Sequence, residues 1–183
     1  MKTESNVKFV LRLALTLLII TSAVAGLLAG VNAITAPRIA ALTAEKTQAA
    51  IEAVLPGGGE QVENYNDATG LVSKVFVSET GYALEVTPGG FDNTITMMVG
   101  VDKSGNLLGI SIISHTETAG LGAVAAAKTS AGEAFRGQFV GMSGNVSVSK
   151  DGGSVDAITG ATITSRAVCT GINAALDCVA GMG

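Results

Sequence analysis

The hydrophobic pattern divides the chain into two parts. From Leu13 to Pro37 no charged residue interrupts the sequence, and Leu13 to Ile34 is almost wholly apolar. A helix of that length crosses a hydrocarbon core of about 30 Å at a rise of about 1.5 Å per residue. Lys2, Lys8 and Arg12 precede the run and only Arg38 follows closely. The excess of positive charge ahead of the span assigns residues 1–12 to the cytoplasm, 13–34 to a transmembrane helix and the rest to the outside. A cleaved signal peptide is the competing reading, since Val31-Asn32-Ala33 is a tolerable small-x-small cleavage site. The run exceeds the roughly 7–15 apolar residues of a signal core, which favours a retained anchor.

Beyond the run the period changes. Pro37 suits the first turn of a second helix. Ile39, Leu42, Ala49, Val54 and Leu55 alternate there with Glu45, Lys46, Gln48 and Glu52. That spacing predicts a juxtamembrane amphipathic helix within residues 35–59, closed by Pro56-Gly57-Gly58-Gly59. Strand patterns follow: Leu71 to Ser78 is β-branched, and Tyr82, Leu84 and Val86 alternate. Ile95, Met97, Val99 and Val101 alternate again, and Lys103-Ser-Gly-Asn106 turns the chain into a return strand from Leu107 to Ile113. Ala123 to Phe139 reads as helix, Val146 and Val148 as a last strand, and Val168, Ile172, Leu176 and Val179 as one face of a final helix. Residues 60–183 therefore form one α+β domain with an antiparallel sheet and flanking helices.

Composition narrows the function. The 183 residues carry a net charge of −4 with only 14% charged positions, so there is no basic footprint for nucleic acid. Cys169 and Cys178 lie nine apart on the final helix and point to opposite faces at about 100° per residue. They cannot bridge within that helix, and the chain has no CxxC. This disfavours iron–sulfur and c-type haem ligation by this chain alone, and both thiols read as small buried hydrophobes. Pro56-Gly-Gly-Gly59 is no phosphate loop, because no Lys-Ser/Thr follows it.

The residues best placed to carry chemistry are Asp156-Ala-Ile-Thr159-Gly160-Ala161-Thr162-Ile-Thr164-Ser165. Thr162 follows a small Gly160-Ala161 turn at the start of the final helix, with Thr164 or Ser165 as its expected N-cap. A hydroxyl beside a helix N-terminus lies where unpaired N–H groups and the helix dipole favour a phosphate. By local composition alone, a capped turn with no ligand also accounts for these small residues. The second candidate is Ser114-His115-Thr116-Glu117-Thr118-Ala119-Gly120-Leu121-Gly122. Its Gly-Leu-Gly end is a nearly side-chain-free loop able to lay backbone amides and one leucine along a flat ring. His115, the only histidine, has no Cys or Asp/Glu constellation around it in sequence and reads as a loop residue.

Together, His115-x-Glu-Thr-x-Gly-Leu-Gly and Asp156-x-x-Thr-Gly-Ala-Thr162 resemble the paired signatures of the FMN-binding domain family. Along nearly its whole length the chain is similar to the RnfG family of Rnf electron-transport complexes, which is related to the C-type flavin subunits of the sodium-translocating NADH:quinone oxidoreductase. Ala119 stands where that family commonly has proline, which removes no chemical group. The resemblance implies FMN esterified through its phosphate to Thr162. It implies that Asp156, Thr159, Gly160 and Ala161 present Thr162 to a separate flavin transferase. Glu117, Thr118, Gly120, Leu121 and Gly122 would line the flavin, and Thr164 with the following amides would hold the phosphate. The partners implied are the other membrane subunits of a complex that couples ferredoxin and NAD⁺ to ion movement. An unactivated threonine with no base or metal beside it in sequence agrees with modification by another enzyme. Two other functions fit the residues: an anchored flavin protein of another electron-transfer chain or a sensor, and a structural subunit with an empty pocket.

Overall fold

A computed structural model describes residues 2–182, with side chains from Val7 onward. The chain separates into two units, one ending at Ala44 and one beginning at Glu45. The first consists of a single helix. α1 runs from Lys2 to Val54 with Pro37 inside it, so the two helices expected on either side of Pro37 are one. Proline removes a single backbone bond, and an apolar helix with no competing partner for its other backbone groups continues through. The hydroxyls of Thr16, Thr21 and Thr35 turn back onto carbonyls one turn earlier, at 2.9–3.0 Å. From Val7 to Ala44 every side chain is exposed, leucines and isoleucines included. A helical surface that apolar requires lipid or protein around it.

In the second unit five antiparallel strands form one meander in chain order: β1 Glu60–Val62, β2 Val72–Val77, β3 Gly81–Val86, β4 Thr96–Asp102 and β5 Leu107–Ser114. The predicted alternations hold, with Leu84 facing Val99 across β3 and β4. These residues point to a core shared with the final helix, α3 (Thr162–Ala180), through Val168, Ile172 and Ala175. α2 (Ser130–Gly137) adds Phe135, whose ring meets that of Phe139 edge-on at 5.3 Å. The opposite face of the sheet is covered as well. Ala83, Met98 and Ile113 pack there against Ala50, Ile51, Val54 and Leu55, the end of α1 and the residue after it. A side chain at Gly100 would strike the Val54 carbonyl, so glycine at that point of β4 permits the close approach.

Two further sequence expectations change, and one strand was not foreseen. The helix expected over 123–139 is a 3-10 turn, Gly122–Ala125, followed by α2. Thr129 caps α2 by accepting from the Gly132 N–H, restarting the helix there. The strand expected at Val146 and Val148 is one parallel bridge, Val148 to Val155, because the chain enters a 3-10 turn, Ser149–Asp151, directly after Val148. β1 escapes the periodicity because it is three residues long and mostly polar.

Cys169 and Cys178 are both free and buried, as apolar packing requires. They share one core although nine residues separate them, because α3 is enclosed around much of its circumference. Burial, and secondarily the charge of Asp151, pushes the Cys169 thiol up to about 11. Cys178 is raised by burial and then by Asp67. The folded state keeps protons that the unfolded chain releases near its ordinary thiol value of 9.0. Stability is therefore full below that pH and declines as pH rises from 9.0 towards about 11. Alkylation at about pH 8, below the ordinary thiol range, should leave native protein unlabelled and label both thiols after unfolding. Stoichiometric labelling of native protein would contradict this packing.

Candidate functional site

Three loops converge at the N-terminus of α3. The first, Thr87–Ile95, joins β3 to β4 and is closed by Gly90 N–H to Asn93 O at 2.7 Å and Ile95 N–H to Pro88 O at 2.9 Å. The second follows β5 and turns at Gly120, whose φ of 76° is left-handed and favours glycine. The third, leading into α3, turns at Gly160, also at φ 76°. Leu121 of the second loop reaches Gly160 of the third, its Cδ2 3.0 Å from where a Cβ would stand.

Glu117 joins all three. It is 8% exposed, and its Oε1 accepts from the Phe91 N–H at 2.8 Å. Its Oε2 accepts a hydrogen bond from the hydroxyl of Thr164. Side chains at Gly90 or Gly122 would collide with the same carboxylate, so both glycines make room for it. Glu117 thus acts as a buried tie between the loops.

α3 begins at Thr162 itself. Its N-cap is Ala161, which has no side chain able to cap, so neither Thr164 nor Ser165 takes the expected role. Thr164 is spent on Glu117 instead. Ser165 is fully buried, donating to the Ala161 carbonyl at 3.0 Å and accepting from the Ile158 N–H at 3.0 Å. The first N–H groups of the helix are left without a side-chain cap, which suits an anion.

These elements enclose a cleft of about 280 Å³ lined by Phe91, Glu117, Thr118, Leu121, Gly122, Lys150, Gly160, Ala161, Thr162, Ile163 and Thr164. The two motif segments, far apart in sequence, meet in it. Gly120, Asp156 and Thr159 of the expected set lie outside the lining. Asp156 and Thr159 are exposed, and the Asp156 backbone is held by Gln138 at 2.8 and 3.2 Å. His115 also lies outside; its Nδ1 is buried without a hydrogen-bond partner among the described residues. Three lining residues escaped sequence reasoning. Phe91 and Ile163 are apolar yet 64% and 50% exposed, and Lys150 donates to Thr162 Oγ1 at 3.1 Å. Nothing in the spacing of Lys150 signals that contact. A larger cleft of about 620 Å³ lies beside Lys103, Asn145, Asn173 and Asp177, but none of the motif residues enters it.

Residues 90–177 match the model of the FMN-binding domain, and residues 1–54 match the RnfG N-terminal region. Similar proteins include the G component of the ion-translocating oxidoreductase complex of Methanosarcina acetivorans, 30% identical over 187 residues that span 96% of this chain and 97% of the relative. The corresponding component from Yersinia pestis is 36% identical over 184 residues, 90% of this chain and 88% of that one. Its counterpart in the Na(+)-translocating ferredoxin:NAD(+) oxidoreductase complex of Acetobacterium woodii is 28% identical over 201 residues, 96% and 94% of the two chains. Matched over 90% and 96% of its length by two of these relatives and by both domain models in order, the chain belongs to the RnfG family of ion-translocating oxidoreductase complexes.

Proposed function

We propose that this chain is the electron-transfer subunit of a membrane-bound, ion-translocating ferredoxin:NAD⁺ oxidoreductase complex, carrying FMN as a phosphoester on Thr162. The observation that carries the proposal is the Thr162 hydroxyl at the uncapped start of α3, inside the cleft that also holds the Leu121-Gly122 loop. The residues present suit a phosphorylated, ring-bearing group. An uncapped helix start and the Lys150 ammonium favour a phosphate, while Leu121 and Phe91 offer apolar surface to a flat ring. When bound, FMN supplies the redox chemistry, and the protein supplies position and environment. Glu117 and Gly122 hold the two walls in register. The exposed Asp156 and Thr159 are open to a separate flavin transferase.

α1 is long and apolar enough to cross a membrane. The match of residues 1–54 to the family's N-terminal region supports a retained anchor rather than a cleaved leader. With Lys8 and Arg12 ahead of the span, the N-terminus is cytoplasmic and the FMN domain is outside. Free FMN is scarce there, and a covalent bond prevents loss by dissociation. The other subunits of the complex are the electron donors and acceptors.

Chain purified from a host that supplies the transferase should carry the added mass of one FMN. It should also fluoresce in a denaturing gel under ultraviolet light. Unmodified mass with no fluorescence would overturn the covalent assignment.

A further inference from the structure

We infer that Lys150 is part of the machinery for attaching FMN: its ammonium steadies the Thr162 oxygen during transfer and then faces the phosphate on it. The inference rests on the covalent reading above and adds to it a residue outside both sequence motifs.

Lys150 lies in a short 3-10 turn, Ser149–Asp151, ahead of the motif. The turn is fixed from several sides. Ser149 N–H donates to Val155 O at 2.8 Å, and Gly153 N–H returns to Val148 O at 3.1 Å. Asp151 grips Arg166 through two bonds of 2.6 and 2.7 Å. Arg166 is four residues beyond Thr162, one turn along the same helical face. Adjacent residues of one small turn therefore straddle the first turn of α3: Asp151 holds its lower end and Lys150 reaches its first hydroxyl, at 3.1 Å.

This placement is electrostatically odd. The N-terminus of a helix disfavours a cation, and a lysine there raises the local positive potential. The first turn of α3 contains no acidic residue. Two carboxylates near this turn are engaged elsewhere, Asp151 with Arg166 and Glu117 with Thr164 and the Phe91 N–H. A phosphodiester on Thr162 brings negative charge to this point and makes the arrangement favourable.

The same contact serves the transfer. A new bond forms between Thr162 Oγ1 and the FMN phosphorus of a flavin adenine dinucleotide. The P–O bond to the AMP half breaks, AMP leaves with that electron pair, and the hydroxyl proton passes to a base of the transferase. Lys150 is a donor only. Its N–H occupies one lone pair of Oγ1 and leaves the other free to attack. As the proton departs, the ammonium faces the growing negative charge, and afterwards it faces the phosphate. Removing one preorganised donor from a site of developing charge slows reactions by about a hundred- to a thousandfold when the site is enclosed. Lys150 is exposed and its charge is screened by water, so a smaller effect of about tenfold is expected here.

The test uses the full chain in detergent, the transferase and flavin adenine dinucleotide, following the rate of mass gain and gel fluorescence. Lys150→Met keeps most of the apolar stem and removes the charge; it should load about tenfold more slowly than wild type, with an unchanged melting temperature. Lys150→Arg should recover most of the rate. Lys150→Met loading at the wild-type rate, or Lys150→Arg as slow as Lys150→Met, would overturn the role of Lys150 while leaving Thr162 as the attachment point. A wild-type chain that never loads would overturn the covalent reading and this inference with it.

Discussion

On the covalent reading, Thr162→Ala should abolish flavin attachment while the domain keeps its fold. Thr162 is the first residue of α3, partly exposed, and its side chain makes one hydrogen bond, to the exposed Lys150. Alanine is well tolerated in a first helical turn, so the expected change in stability is about 0.5 kcal/mol or less. The expected chemical effect is total, because no oxygen remains to take the phosphoryl group. Thr162→Ser keeps a hydroxyl and should retain loading. Thr164→Ala makes the discriminating contrast two residues away. Thr164 is 2% exposed, and its hydroxyl supports the buried Glu117 carboxylate. Its removal leaves that acceptor short of a partner, at a cost of about 1–3 kcal/mol. Intact mass and thermal melts of the three variants check both halves. Membranes of the native host carrying Thr162→Ala should lose ferredoxin-dependent NAD⁺ reduction. A Thr162→Ala chain that still bears FMN would move the attachment elsewhere.

The second large effect belongs to Gly122. The Gly-Leu-Gly loop holds two glycines for different physical reasons. Gly120 is exposed with φ 76° and open space around its Cβ direction, so Gly120→Ala costs only the strain of a left-handed residue, about 1–2 kcal/mol. Gly122 is buried, and a Cβ there would overlap both Glu117 Oε2 and Thr164 Oγ1 while standing 3.0 Å from Glu117 Cβ. Neither neighbour is the free end of a mobile chain, since each is held by the other and Glu117 by the Phe91 N–H as well. Gly122→Ala must break the Glu117–Thr164 contact or displace the 3-10 turn. The expected loss is about 2–4 kcal/mol, with slower FMN loading because three cleft loops lose their common tie. Thermal melts of both glycine variants measure the difference. Equal melting temperatures for Gly122→Ala and wild type would show that Glu117 is not held as described.

Much of the fold is legible because it is periodic. The alternations through Leu84 and Val86 and through Met97, Val99 and Val101 mark the sheet face that meets α3, and the apolar run marks α1. What periodicity hides is the second covering of the sheet. Ala83 and Met98 read as the outward residues of a half-buried strand until Ile51, Val54 and Leu55 pack on them. The continuity of α1 through Pro37 is hidden in the same way, because a proline signals a helix start as readily as a tolerated interruption.

The site divides along a similar line. The two motifs, the threonine, the glycines that turn the loops and the long apolar helix can all be read from the chain alone. Each is written in residue type and local spacing, which need no partner to be recognised. Folding alone made Glu117 a tie between loops, turned Thr164 to Glu117 rather than to capping α3, and brought Phe91 and Lys150 into the cleft. Those facts depend on contacts between residues 12 to 47 positions apart. Such contacts arise when strands and loops are brought together, and no local pattern along the chain encodes them.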